Sequence, residues 1–337
     1  MNVALDQALI DSHRAGHSPD TLRFLEFSPS VLVGRHQDLS RELDLGFCRA
    51  HDIDVGRRVT GGGAIYLDQG QIGWEFVCGR ASLGGGNLAT LTARICTAAA
   101  DGLARLGVEV CFRPRNDLEI DGRKVGGTGG FFDGDTVFYQ GTVLIESTPG
   151  MMFGALRVGA DKRARHAAEP AARITTLSEA LGGRAPDKVA VKAALAAGFA
   201  AAFDLEYTDT SLSAAEEALA ERLYAEEIGS EDFVHDIDDP TAEGRWRSAT
   251  RDTPGGLVTV HLGLAAGRRP RIERVLFSGD FFITPPRLLY DLEQALVQVA
   301  VADVAACVAA FMATSRPEML SVTPADLAAA IEAAAGA

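Results

Sequence analysis

Two stretches hold residues whose types and spacing could do chemistry. GRRVTGGGAIYLD (56–68) places Arg57 and Arg58 beside Gly61-Gly62-Gly63, and RPRNDLEIDGRKVGGTGG (113–130) gathers Asn116, Asp117, Glu119 and Lys124 about one turn. Three glycines in a row cost more backbone entropy than ordinary loop residues, and a tight hairpin needs only one. Beside two guanidinium groups they read as backbone N–H groups facing an anion, which arginine holds through paired bonds. A loop that simply needs positive φ is the competing reading. The pattern is neither a P-loop nor a GxGxxG opening a helix. In the second stretch Asp121-Gly122 is a two-residue hairpin signal. It pairs Ile120 with Arg123 and Glu119 with Lys124, and strand alternation sets Asp117, Glu119 and Lys124 on one face. That is either a surface ion pair or a lysine held rigidly beside carboxylates able to carry Mg²⁺.

The elements around these stretches must position them. MNVALDQALIDSHRAG reads as an amphipathic helix, TLRFLEF and SVLVGRH as strands, and LDLGFCRAHDI as a helix. AIYL and IGWEFVC read as strands, with Trp74 and Phe76 packing in the sheet. Leu88, Leu91, Ile95, Leu103 and Leu106 mark a helix ending at Gly107, and strands then run from VEVCF to about Ile145. This order predicts an α+β fold with largely antiparallel sheets. Residues 186–228 read as helical and HDIDDPTAEG (235–244) as a linker. GLVTVHLGL and RIERVLF then form a hairpin, followed by helices over LLYDLEQALVQ and PADLAAAIEAA. The expected division is a catalytic domain at 1–240 and a small α+β domain at 241–337.

Bulk properties exclude several classes. A net charge of -14 speaks against nucleic acid as a ligand. Cys48, Cys78, Cys96, Cys111 and Cys307 form no CxxC pair, which suits reduced thiols in a cytoplasm and excludes common zinc frameworks. The histidines suggest no metal site. The N-terminus lacks a basic n-region, and Gln298 and Asp303 interrupt the most apolar stretch, so neither a signal peptide nor a membrane span is expected.

GRRVTGGGAIYLD, followed about fifty residues later by RNDLEIDGRKVGG, resembles the lipoate–protein ligase family. The resemblance continues through VLVGRHQD, YQGTVLIE and RITTLSE, and VLFSGDFF with the helices after it resembles the family's small C-terminal domain. Biotin–protein ligases share the fold, but their adenylate loop is an Arg-Gly-rich stretch. The resemblance implies a biotin/lipoate ligase-like catalytic domain and ATP-dependent ligation of lipoate or octanoate to a lysine of a lipoyl domain, through lipoyl-AMP with release of pyrophosphate. ATP and Mg²⁺ are the implied cofactors. The implied acceptor is an E2 domain, a glycine-cleavage H protein or a dedicated lipoyl carrier, and the enzyme is expected to be a cytoplasmic monomer.

By resemblance, Lys124 is catalytic, bridging the carboxylate and the α-phosphate. Arg58 and the Gly63-Ala64-Ile65-Tyr66 backbone contact the nucleotide. Arg57, Thr60, Gly61, Gly62, Asn116 and Asp117 extend the pocket, with Asp117 the candidate Mg²⁺ ligand. The glycines are expected to be there because side chains would collide with the adenylate. A basic run of Arg157, Lys162, Arg163, Arg165 and His166 is either solvated surface or a cover over the phosphate. Leu67, Gln71, Gly126 and Gln140 depart from the family pattern and bear on acyl preference and acceptor choice. The family's small domain rotates, which places a hinge in 235–244. Two rivals remain: an octanoyltransferase, which needs an activated thiolate at the pocket, and a non-catalytic lipoyl-protein binding module. Cys78 and Cys111 are expected in the core.

Overall fold

The computed structural model describes residues 1–157, 170–242, 246–267 and 269–337. Its strands and longer helices run α1 (Asn2–Arg14), β1 (Thr21–Leu25), β2 (Ser30–Val33), β3 (Asp54–Arg57), β4 (Ile65–Leu67), β5 (Gln71–Gly79) and α2 (Leu88–Ala104). Next come β6 (Cys111–Arg113), β7 (Asp117–Ile120), β8 (Arg123–Asp133), β9 (Thr136–Leu144), α3 (Lys188–Phe203) and α4 (Ala214–Leu223). The last part holds β10 (Arg247–Thr253), β11 (Gly256–Leu264), β12 (Ile272–Gly279), β13 (Ile283–Thr284), α5 (Leu288–Leu296), α6 (Val304–Ser315), β14 (Glu318–Met319) and α7 (Pro324–Gly336). Side-chain oxygens of Asn87, Asp187, Ser213 and Thr323 cap α2, α3, α4 and α7, supplying acceptors that first-turn amides lack.

Antiparallel pairing joins six strands in the order β1-β5-β9-β8-β7-β6. Register assigns its two faces. Ile72/Val143, Trp74/Gly141, Phe76/Tyr139 and Cys78/Val137 are opposed pairs on the side covered by α2 and α3. Gly141 is glycine because a Cβ there would lie 2.4 Å from the Trp74 ring. The other face carries Gly73/Thr142, Glu75/Gln140 and Val77/Phe138, and α1 lies over part of it. Arg23 joins the buried carboxylates of Asp6 and Glu75 there, tying α1 to β1 and β5. A second sheet, β3-β2-β4, is parallel between β2 and β3 and antiparallel between β2 and β4.

Beyond residue 246 the chain builds a three-stranded sheet, β10-β11-β12, whose Val258, Val260, Leu262 and Phe277 pack against α5, α6 and α7. Of its strands β10 escapes a hydrophobic-pattern reading: Arg247, Ser248, Thr250, Arg251 and Asp252 are exposed on an edge. This part docks on the six-stranded sheet through Gly279–Thr284 and the β13–β14 ribbon. Thr284 Oγ1 donates to Phe132 O (2.7 Å) and accepts from Phe132 N (2.7 Å), and Glu318 pairs with Arg80 and accepts from Leu88 N.

The expected linker divides. Residues 233–239 are fastened to the large unit: Arg57 donates to the carbonyls of Phe233, Val234 and Ile237, Leu39 N donates to Ile237 O, and Asp239 N to Asp38 Oδ1. Gly244 lies outside the described residues, as do Lys162, Arg163, Arg165 and His166. Arg157, the remaining member of that basic run, donates to Ser40 O. Among the described residues no helix is long and apolar enough to cross a membrane.

Candidate active site

The site is built on the glycine-rich face of the large sheet. Two cross-strand rows form its floor: Leu25–Gly73–Thr142–Gly127, and Arg23–Glu75–Gln140–Gly129. Absent or short side chains leave room above the sheet. The roof comes from Leu32, Ile65 and Leu67 of the second sheet, the loop at 60–64, and the start of α1. Between floor and roof is a cavity of about 210 Å³. It is polar where Lys124, Asn116 and Gln140 converge, with only the Thr128 backbone between them because its hydroxyl points to Cys96 and Tyr139, and apolar towards Leu25, Phe27, Leu32 and Leu67.

Lys124 stands where the hairpin reading placed it, opposite Glu119, with Ile120 opposite Arg123. The turn has positive φ at both Asp121 (50°) and Gly122 (73°). A bulge in β7–β8 then leaves Val125 without a cross-strand partner. The Lys124 ammonium bonds Asp117 Oδ1 at 2.7 Å and lies across Gly127, where a Cβ would sit 2.9 Å from Nζ. The Lys124 carbonyl accepts from Thr175 N, so the RITTL segment braces the strand at this point. The ammonium is half-exposed and faces the cavity, a fixed cation open to an anionic ligand.

The arginines serve differently from the expectation. Arg58 lines the cavity, but its guanidinium is spent on protein acceptors: Thr60 Oγ1 (3.1 Å) and the carbonyls of Leu32 (3.0 Å), Gly61 (3.0 Å) and Gly63 (2.8 Å). Burial pushes it down to about 10, so it stays charged at neutral pH while holding the loop in shape. Arg57 is not at the cavity; it binds carbonyls of two segments, Gly34, Arg35 and Gln37 (Gln37 O at 2.7 Å) and Phe233, Val234 and Ile237. Tyr66 also turns away, into a cluster with Val31, Val33 and Leu39. Asp117, the expected Mg²⁺ ligand, gives one oxygen to Lys124 and the other to Arg113 (2.6 Å). Among the described residues no three His, Cys, Asp or Glu side chains could hold a metal. The residues present therefore do not fit a protein-held Mg²⁺.

The three glycines separate into two roles. A Cβ on Gly61 would lie 2.2 Å from Phe281 O, and one on Gly62 (φ +94°) would lie 2.7 Å from Phe282 Cζ. Here the space is filled by the second unit's Gly279–Thr284 tongue, not left for a ligand. A Cβ on Gly129 would likewise meet the Phe282 ring, at 2.5 Å from Cε1. Gly63 differs: a Cβ there would make only ordinary contacts, with Asp280 Cβ at 3.8 Å and Oδ2 at 3.9 Å. Phe282, Gln140 and Thr128 are thus site residues that sequence reasoning did not single out as lining the pocket. GGTGG (126–130) and the Phe281-Phe282 pair were the available signals.

Thiols are absent from the cavity lining. Cys48, Cys78 and Cys96 are buried, and burial pushes each of these thiols up. Cys96 touches Thr128 Oγ1 (3.2 Å), from the helical side of the sheet. Cys307 is on α6. Cys111 is exposed on the edge strand β6, against the expectation that it lies in the core.

The family described as the lipoyl protein ligase A/B catalytic domain matches residues 1–200. The chain belongs to this family. Octanoyltransferase LipM of Symbiobacterium thermophilum is 30% identical over 256 residues, covering 69% of this chain and 92% of LipM. Lipoate-protein ligase LplJ of Bacillus subtilis is 32% identical over 141 residues, covering 42% of this chain and 41% of LplJ. The fold matches LipL1 of P. falciparum, solved in complex with lipoate, at a TM-score of 0.70 with 16% identity, covering 91% of this chain and 90% of that one. A bi-partite lipoate protein ligase from Thermoplasma acidophilum matches at 0.61 with 22% identity, covering 70% and 91%. These likenesses establish the mixed α+β fold with antiparallel sheets of lipoate ligases.

Proposed function

We propose that this family member is an ATP-dependent lipoate–protein ligase. The supporting observation is a cavity that presents the Lys124 ammonium and no thiol, although all five cysteines are among the described residues. An acyl chain lies in the apolar channel with its carboxylate towards Lys124. The carboxylate oxygen attacks the α-phosphorus of ATP, the bond to the β-phosphate oxygen breaks, and pyrophosphate leaves with the electron pair. Lys124 lowers the repulsion between two anions and stabilises negative charge on the phosphoryl oxygens as it grows. The nucleotide lies over the open backbone from Gly63 to Ile65, held by a loop that Arg58 keeps in shape. The ε-amine of an acceptor lysine then attacks the acyl carbon; an amide forms, AMP departs, and the amine proton passes to solvent.

The acceptor proposed is a lipoyl domain, the kind of partner named with the T. acidophilum protein. Its approach rests on local contacts, because the net charge of -14 gives no evident long-range attraction to an acidic partner. Lipoate-dependent exchange of pyrophosphate into ATP tests the reading. The alternative, suggested by the LipM relative, is acyl transfer through a cysteine thioester. It predicts no exchange and a hydroxylamine-labile acyl-protein instead.

A further inference from the structure

Thr128 borders the cavity with its backbone and sends its side chain the other way. It stands opposite Gly141, which stands opposite Trp74, so its hydroxyl enters the face covered by α2 and α3. There Oγ1 meets Tyr139 Oη of β9 at 2.8 Å and Cys96 Sγ of α2 at 3.2 Å, and all three residues are buried. The same Oγ1 donates to the carbonyl oxygen of Asn116 at 3.1 Å. A carbonyl cannot donate, so the single Thr128 hydroxyl proton is on that bond. Tyr139 therefore donates to Thr128, and the protons run one way, from Tyr139 to Thr128 to Asn116 O. Burial pushes the Tyr139 phenol well up, so it keeps the proton it gives to this relay.

The relay is the inner half of a clamp. Thr128 N also donates to Asn116 O (2.9 Å), and the Asn116 carboxamide donates to Thr128 O, so three hydrogen bonds tie Asn116 to one residue. Asn116 stands at the entrance to β7. The next residue, Asp117, pairs with Gly127 and holds the Lys124 ammonium at 2.7 Å. Lys124 lies beyond the bulge, towards the Asp121-Gly122 turn, and its side chain reaches back over Gly127 to Asp117. Two separate parts of the ladder thus locate this lysine. The tip of the hairpin fixes the root of the side chain, and the clamp fixes the carboxylate at which its charge ends.

We propose that Tyr139 and Thr128 are positioning residues that set the place of the Lys124 ammonium from the opposite face of the sheet, acting through Asn116 and Asp117. The inference rests on the ligase reading for what Lys124 does to a substrate, and on the hydrogen bonds alone for the clamp. Tyr139 does not line the cavity. In a buried relay each donor strengthens the next bond, so removing the phenol hydroxyl weakens the hold on Asn116 without touching a ligand.

The test compares Tyr139→Phe, Thr128→Val, Thr128→Ser and the first two combined. It reads octanoate-dependent exchange of pyrophosphate into ATP, and hydrogen exchange at the Thr128 amide by NMR. Per folded molecule, Tyr139→Phe and Thr128→Val should each lower kcat by roughly ten- to a hundredfold with little change in KM. Thr128→Ser keeps the hydroxyl and should behave like wild type. The combined variant should be no slower than Thr128→Val, because both changes cut one relay. In Tyr139→Phe the Thr128 amide should exchange about tenfold faster relative to the amides of β5. Wild-type kcat in both single variants overturns the proposal, as do equal losses in Thr128→Ser and Thr128→Val, or losses that multiply in the combined variant. If wild type exchanges no pyrophosphate, the ligase reading fails and the amide decides alone: unchanged relative exchange of Thr128 in Tyr139→Phe overturns the clamp.

Discussion

Gly62 and Gly63 are adjacent and, in the sequence, equivalent; the structure makes opposite predictions for them. Alanine at Gly62 must adopt a φ of +94° and place its Cβ 2.7 Å from Phe282 Cζ and 3.1 Å from Arg58 Nη2. The backbone penalty is about 1–2 kcal/mol, and displacing a packed ring adds roughly 1–3 kcal/mol. At about 2–4 °C per kcal/mol for a unit of this size, Gly62→Ala should lower the melting temperature by roughly 5–15 °C. Gly63→Ala meets nothing nearer than 3.8 Å and should melt within about 2 °C of wild type, yet weaken nucleotide binding. Differential scanning fluorimetry measures the first quantity, and titration of the folded protein with a non-hydrolysable ATP analogue measures the second. Phe282→Leu should recover part of the stability in the Gly62→Ala background, because it removes the group in the way. Equal melting temperatures for the two alanine variants would refute the assignment of Gly62 to the tongue.

Other expectations follow from the same geometry. Lys124→Ala should reduce lipoate-dependent pyrophosphate release by about 10²–10³ with the fold intact, and Lys124→Arg should not rescue it, because a planar fork replaces a point charge; near-normal release by either variant contradicts the role. Arg57→Ala strands several buried carbonyls and should cost more than about 3 kcal/mol in urea unfolding, whereas a surface-like change below about 1 kcal/mol would show that the pin is dispensable. Burial raises Glu293 to about 7 where it accepts from Phe277 N, so the stability it contributes is full below its unfolded value near 4.5 and is lost as pH rises through about 7. Glu293→Gln should flatten stability against pH over that window, and an unchanged slope would assign the dependence to another group. A protein ending at Asp239 should transfer from preformed lipoyl-AMP but lose ATP-dependent activation; equal loss in both half-reactions would mean the second unit only supports the first.

Local chemistry made parts of this molecule readable in advance. Asp121-Gly122 fixes a turn within four residues, so the Glu119–Lys124 pairing follows from φ preferences alone. Alternation in IGWEFVC gave β5 and the packing of Trp74 and Phe76. What stayed hidden depends on contacts between distant segments. An arginine beside glycines binds an anion or a carbonyl with equal chemical logic, and only the fold brings Leu32, Gly61 and Gly63 oxygens to Arg58. Nothing local ties Gly61 and Gly62 to Phe281 and Phe282, more than two hundred residues away. The polar edge strand β10 and the bulge after Lys124 leave no hydrophobic signature.

The fastening of residues 233–239 by Arg57, Leu39 and Asp38 also limits where the second unit can be. Between Asp239 and the start of β10 at Arg247 the sequence has seven residues, whose full extension is under about 30 Å. If the tongue leaves its seat, the start of β10 stays within that radius of Asp239. Short tethers of this kind hold their two ends at an effective concentration in the millimolar range. Return to the seat is then independent of protein concentration, and a ligand that displaces the tongue must compete with a neighbour that dilution does not remove.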